Sequence, residues 1–200
     1  MPEFNFQEMF PHGEDTTTYR KLEGDFVATD TFRGQRVLTL AAAGLTRLAA
    51  DAIRDISHLF RPGHLAQLRT ILDDPEASSN DRFVAIAMLR NANVSASMVL
   101  PSCQDTGTAI VIGKKGQQVW TDGDDEAALA RGIYETYTRT NLRYSQMAPI
   151  TVYDEVNTET NLPAQIELYA TPGDAYHFSS SPRAAARPTR PSCSRKPRRS

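Results

Sequence analysis

The chain of 200 residues predicts a mixed α/β (α+β) fold, with helices and strands sharing one domain. Three observations carry this. Apolar residues recur at helical spacing between Ala41 and Leu100. Short runs rich in Val, Ile and aromatic residues lie before and after that stretch. The chain is 40% hydrophobic, enough to bury a real core.

Residues 1 to 40 mix short apolar pieces (FNFQEMF, DFVATDTF, QRVLTLA) with turns at His12-Gly13 and Arg33-Gly34. They read as an extended arm followed by strands. From Ala41 the period changes: Leu45, Leu48, Ala49, Ala52, Ile53, Ile56, Leu59 and Phe60 form one apolar stripe. Arg61-Pro62 breaks that helix, and Pro62 suits the first position of the next, HLAQLRTIL. Asp73-Asp74-Pro75 ends it. Ser79, Asn80 and Asp81 offer caps for a third helix, RFVAIAMLRNANVSASMVL. TAIVIG and QQVW flank Gly113-Lys114-Lys115-Gly116, which reads as a β-hairpin with both lysines in a solvated turn. Asp122 to Asp125 caps a helix, EAALARGIYETYTRTNLRYSQ, with acids at its positive end. QIELYA is a strand, and AYHF begins another that stops abruptly.

Composition narrows the function. No apolar run approaches the roughly 18 residues of a membrane span. The N-terminus MPEFNFQEMFPHGED has no basic region of the signal-peptide kind, so the expected location is the cytoplasm, with no membrane partner. Residues 179–200 hold seven Lys or Arg and no acid, leaving 15 basic and 24 acidic side chains, a net of −9, on residues 1–178. An acidic body is a poor nucleic-acid binder, and no nucleic-acid partner is expected. The two cysteines, Cys103 and Cys193, do not make a disulfide framework.

Cys103 lies in SCQDTGT. By itself this fits a buried structural cysteine before a turn, since free cysteine is commonly buried and inert. The same residues also offer chemistry. A thiolate ligates iron, an amide donates or accepts, and a carboxylate holds a hydroxyl or a metal-bound water. His12, His58, His64 and His177 read as ordinary surface or core histidines.

The string VLPSCQDTGTAIVIGKKGQQVWT resembles the N-terminal domain of the class I, iron–sulfur-dependent fumarate hydratases. So do DEAALARGIYETYTRTNLRYSQMAP, EVNTETNLPAQIELYA, DPEASSNDRFVAIAMLRN and FPHGEDTTTYRKL, so that the resemblance spans residues 4 to 178. It implies antiparallel sheets flanked by helices in an incomplete N-terminal domain. It also implies a [4Fe–4S] cluster held by three cysteines, whose open iron acts as a Lewis acid. Within that resemblance Cys103 is one cluster ligand, and Gln104 and Asp105 are the substrate-contacting pair beside it. Arg143 pairs with a substrate carboxylate, a task suited to a bidentate guanidinium. Read by spacing alone, Arg143 sits on a solvated helix face. The implied reaction is reversible hydration of fumarate to malate, in a homodimer when full-length. The alternatives are a tartrate or related hydroxy-acid dehydratase, and a non-catalytic product whose basic tail binds anions.

After Phe178 the chain departs from the family. Residues 179–200 contain no aliphatic side chain larger than Ala and read as a disordered basic tail. In one allowed choice of codons, a single base restored after Phe178 turns residues 179–190 into Leu-Leu-Leu-Ala-Lys-Gly-Gly-Gly-Ser-Ala-Asn-Lys. That is the glycine-rich motif the family carries at this point. The expectation is therefore an out-of-frame tail, in which Cys193 is an accident, and a chain inactive alone.

Overall fold

A computed structural model describes residues 3–11, 13, 18–103, 106–149, 151 and 153–183. Twelve elements follow in chain order: β1 (Val27–Phe32), β2 (Gln35–Leu40), α1 (Ala42–His58), α2 (Pro62–Asp73), α3 (Ser79–Ser95), β3 (Thr108–Gly116), β4 (Val119–Thr121), α4 (Asp125–Arg139), β5 (Met147–Pro149), β6 (Glu155–Asn157), β7 (Gln165–Thr171) and β8 (Tyr176–Arg183). The mixed α/β class and the four helices are as the sequence predicts.

The strands form three small sheets, ordered β1-β2-β4, β7-β3-β8 and β5-β6. The expectation of antiparallel sheets holds for β1–β2, β3–β8 and β5–β6. It fails for β2–β4 and β3–β7, which pair in parallel. The β1–β2 hairpin turns at Arg33-Gly34, both at positive φ (50° and 78°), the geometry that matches strand twist.

The core lies where α1 and α4 cover one face of β3. Leu45, Ala49 and Ile53 of α1 and Leu129, Ile133 and Tyr137 of α4 repeat every fourth residue, and both stripes meet Ala109 and Val111. The helices approach closely at Gly132, where a Cβ would lie 2.2 Å from the Thr46 carbonyl oxygen. Two hydroxyls then bridge the pair: Thr46 donates to the Ala128 carbonyl at 2.9 Å and Thr136 to that of Ala50 at 3.1 Å. Helix α2 begins at Pro62 and packs on α3, with Leu68 and Ala85 buried. The cap of α3 is Ser78, one residue before the expected candidates. Its hydroxyl accepts from the Asp81 amide at 3.1 Å, while the Asp81 carboxylate accepts from the Ser78 amide at 3.0 Å.

Four expectations change. First, Gly113 to Gly116 is not a hairpin turn: the residues continue β3, and β4 pairs with β2 instead of β3. Second, the lysines are therefore not solvated. Lys114 is 4% exposed and donates to Glu8 of the N-terminal arm. Lys115 donates to Asp125 at 2.6 Å and to the Thr121 hydroxyl at 2.8 Å. The buried Lys114 and the partly buried Lys115 ammonium groups are each met by a carboxylate, which repays part of their desolvation. Third, α3 ends at Ser95 and α4 at Arg139, short of the expected Leu100 and Gln146. Fourth, β8 runs past Phe178, pairing Ser179 to Arg183 with Ile112 to Thr108. The strand ladder uses only backbone groups, and Pro182, which has no N–H, is tolerated on an edge strand. The rest of the predicted tail, with Cys193, lies outside the described residues.

Among the described residues no helix is long and apolar enough to cross a membrane. His58 is fully buried in the last turn of α1, its Nδ1 2.7 Å from the Arg54 carbonyl. His64 stacks on Phe60 at 5.7 Å between ring centroids. His177 lies opposite Lys114 in β8. His12 lies outside the described residues.

Candidate functional site

The segment around Cys103 is fixed on both sides. Before it, the Ser102 amide donates to the Ser57 carbonyl at 2.9 Å. The Asn91 side chain donates to the Ser102 carbonyl at 2.7 Å. The end of α1 and the body of α3 thus hold the chain just ahead of the thiol. After it, Gly107 turns with φ 64°, a conformation glycine adopts without strain. The Tyr137 hydroxyl, fully buried in α4, reaches the carbonyls of Thr106 at 2.8 Å and Gly107 at 3.0 Å. Cys103 itself is a free, exposed cysteine, which excludes the buried structural reading. Gln104 and Asp105 lie outside the described residues.

Arg143 is not on a helix. Helix α4 has ended, Leu142 turns back into the core at 6% exposure, and Arg143 points outward from the extended segment beyond. This segment runs beside the Cys103 segment. Thr106 donates its hydroxyl to the Arg143 carbonyl at 2.7 Å, and Thr108 donates to the Gln146 side-chain oxygen at 2.9 Å. Asn161, 0% exposed, accepts from the amides of Ser145 (2.8 Å) and Gln146 (3.0 Å) through Oδ1. Its Nδ2 donates to the Gly107 carbonyl at 3.0 Å. The fold thus brings together two segments, one bearing an exposed thiol and the other an exposed guanidinium, lying 40 positions apart in the sequence.

Thr106, Tyr137 and Asn161 were not singled out in the sequence. None was marked by its own chemistry; all three lie within the strings that carry the family resemblance, which marked only their neighbourhoods.

A second concave region, a cleft of ≈ 340 Å³ between α1 and α4, is lined by Arg47, Asp51, Arg54, Glu135 and Arg139. Its charges are already paired: Arg47 with Asp51 at 2.8 Å, Arg54 with Asp51 at 3.2 Å and Arg139 with Glu135 at 3.4 Å. The hydrogen bond and charge of Asp51 raise the Arg47 pKa above its ordinary value. The cleft presents a satisfied ion network rather than a reactive centre.

The donors for a metal are sparse. Among the described residues no three His, Cys, Asp or Glu side chains gather as a metal site. Cys103 is one exposed thiol. The described residues therefore do not fit a [4Fe–4S] cluster by themselves; they offer one thiolate where such a cluster takes three or four.

The family model for fumarate hydratase (fumerase) matches residues 46–186. The chain belongs to the fumarate hydratase family. It is 56% identical over 175 residues to the aerobic class I fumarate hydratase of Escherichia coli K12, a match covering 88% of this chain and 32% of that protein. The aerobic class I enzyme of Salmonella typhimurium is 54% identical over 175 residues, covering 88% of this chain and 30% of its own. Fumarate hydratase 1 of Leishmania major, named as mitochondrial, is 49% identical over 181 residues, covering 89% and 33%. The chain spans about a third of the length of these relatives. Its family is one of hydro-lyases, and its mixed α/β architecture is consistent with a fragment of a fumarate hydratase domain.

Proposed function

We propose that this chain is the N-terminal part of a [4Fe–4S] fumarate hydratase and is not catalytic alone. In this reading Cys103 supplies one of the cluster thiolates. Gln104, Asp105 and Arg143 contact the substrate, with the Arg143 guanidinium gripping a carboxylate of fumarate or malate through two parallel hydrogen bonds. The missing cluster ligands and the acid–base groups belong to the two-thirds of the family polypeptide not matched here. The completed protein is proposed to be a cytoplasmic homodimer, and residues after Phe178 to be read out of frame.

The observation that carries this reading is the 2.7 Å bond from Thr106 to the Arg143 carbonyl. It holds the Arg143 backbone beside the thiol segment, and the Cys103 and Arg143 side chains are both exposed, which supports the reading. Anaerobic reconstitution of the 200-residue chain with iron and sulfide tests it. The expected product lacks a stable cluster, because one thiolate cannot replace three. A full cluster whose absorbance disappears in Cys103→Ser overturns the claim of an incomplete site. Fumarate hydration by the purified chain overturns the claim of inactivity. In a frame-restored, full-length protein, Arg143→Lys should lower kcat/KM by the equivalent of about 1.5–3 kcal/mol, the worth of a charged hydrogen bond. An unchanged kcat/KM removes Arg143 from the site.

A further inference from the structure

Among the described residues, Thr106, Thr108 and Asn161 link the two segments of the candidate site, and Asn161 is the one that belongs to neither. Asn161 is 0% exposed, and a buried amide must satisfy both its ends. Here each end is spent on a different segment. Oδ1 takes two consecutive amides, Ser145 and Gln146, just beyond Arg143. Nδ2 gives a hydrogen to the Gly107 carbonyl, four residues beyond Cys103. The Asn161 backbone sits at φ 55°, a conformation asparagine adopts more readily than other non-glycine residues. The strand before it is braced as well: the Asn157 side chain donates to the Tyr144 carbonyl at 2.8 Å, and the Thr158 amide to that of Gln146 at 3.1 Å.

We propose that Asn161 is a positioning residue that fixes the spacing between the Cys103 loop and the Arg143 segment. This deepens the functional reading above and rests on it. A site that takes a small dicarboxylate between the thiol loop and a guanidinium needs those segments at a set separation, and misplacement of about 1 Å is costly. No other residue type of this size does the task. Aspartate would turn a carboxylate oxygen toward the Gly107 carbonyl and lose the donor. Leucine would leave three backbone groups, the buried Gly107 carbonyl and the partly buried Ser145 and Gln146 amides, short of this partner. The Tyr137 hydroxyl bonds to the Cys103 loop, and Thr106, itself part of that loop, reaches the Arg143 carbonyl with one hydrogen bond, whereas Asn161 stands outside both segments and bonds to each.

The test uses the full chain, without iron. Cys193→Ser leaves Cys103 as the native thiol, Arg143→Cys adds a second, and nitroxides on both report their separation by dipolar EPR. With Asn161 present, a narrow distance distribution is expected. In Asn161→Ala and Asn161→Asp that narrow component should be lost. A control pair on the core helices, Ala43→Cys with Thr138→Cys in a Cys103→Ser, Cys193→Ser background, should be unchanged in the same variants. A distribution that stays narrow without Asn161 overturns the proposal. Equal broadening of the control pair also overturns it, because Asn161 would then act only on global stability. A frame-restored protein that fails to bind iron would defeat the functional reading and leave this placement result standing.

Discussion

The approach of α1 and α4 at Gly132 yields a prediction whose sign opposes ordinary helix propensity. Replacing an internal helical glycine with alanine is normally stabilising by about 1 kcal/mol. At Gly132 the added Cβ would lie 2.2 Å from the Thr46 carbonyl oxygen, 2.9 Å from the Ala49 Cβ and 3.0 Å from the Ala50 nitrogen. Two of these three atoms are backbone, so no rotamer relieves the clash. Restoring ordinary contact requires the helices to part by about 1 Å. Overpacking of this kind costs about 1–3 kcal/mol. The same movement stretches the Thr46–Ala128 and Thr136–Ala50 bonds beside it, each worth about 1 kcal/mol. Against a gain of about 1 kcal/mol from propensity, the net expected loss for Gly132→Ala is about 3 kcal/mol. That is a large share of a domain's typical stability of about 5–15 kcal/mol. Urea unfolding followed by far-UV circular dichroism measures it. Gly63→Ala in α2 is the control: nothing lies within 4 Å of its Cβ, so only a gain of up to about 1 kcal/mol is expected. If Gly132→Ala is as stable as the parent while Gly63→Ala behaves as stated, the close helix crossing is wrong.

Tyr137→Phe should cost about 1–2 kcal/mol in the same assay, because the Thr106 and Gly107 carbonyls lose a buried donor; an unchanged midpoint would show that the hydroxyl does not anchor the Cys103 loop. Burial pushes the Asp125 carboxyl up, but hydrogen bonds from Lys115, Thr121 and Tyr176, with the Lys115 charge, outweigh it and hold the pKa below the ordinary aspartate value. A depressed carboxylate stabilises the fold above its unfolded pKa of about 4 and loses that contribution as pH falls through the lower folded value; Asp125→Asn should therefore flatten the acid limb of a stability–pH curve, and an identical limb would refute the assignment. At the other extreme, burial and then the Asp125 hydrogen bond and charge raise the Tyr176 phenol above its ordinary pKa. Stability from Tyr176 is thus present below about pH 10 and lost above it, and Tyr176→Phe should lessen the alkaline decline.

What the sequence revealed follows from how local each signal is. Helix starts were legible because they are written in single residues: Pro62 at the first position of α2 and the acids at the head of α4, while the α3 start was read one residue late, at Ser79 instead of the Ser78 cap. The end of α4 was not. Its apolar period continues through Leu142 and Tyr144, yet Thr138, Arg139, Thr140 and Asn141 include weak helix formers, and Leu142 reaches the core from an extended backbone instead. GKKG resembled a turn because glycine and lysine usually mark one. It became the end of a central strand because Glu8, from the distant N-terminal arm, and Asp125, at the head of the next helix, meet the two ammonium groups. Cys103 and Arg143 were marked by resemblance and by their chemistry. The asparagine, threonine and tyrosine that join their segments were silent, because a hydrogen bond to a distant carbonyl leaves no local trace.

The same distinction between backbone and side chain accounts for β8. Ser179 to Arg183 have little to bury, yet they extend the ladder on β3, because pairing requires backbone amides and carbonyls rather than apolar side chains. Alternation then assigns the faces. Tyr176 and Phe178 pack toward the helices, and half-buried Ser180, opposite Val111, continues that inward row. Ser179 and Ser181 are exposed on the opposite face, opposite Ile112 and Ile110. The N-terminal arm crosses this outer face, with Glu8 on Lys114 and Phe10 against Tyr169. If the frame is restored as proposed, leucines replace all three serines. The middle one lengthens the inward stripe by a residue worth about 1.5–3 kcal/mol when fully buried. The outer two add apolar surface beside Ile110 and Ile112. In that proposed frame the ladder on β3 keeps its register, because it is built from backbone groups, and the outer leucines lie on the face opposite the helices.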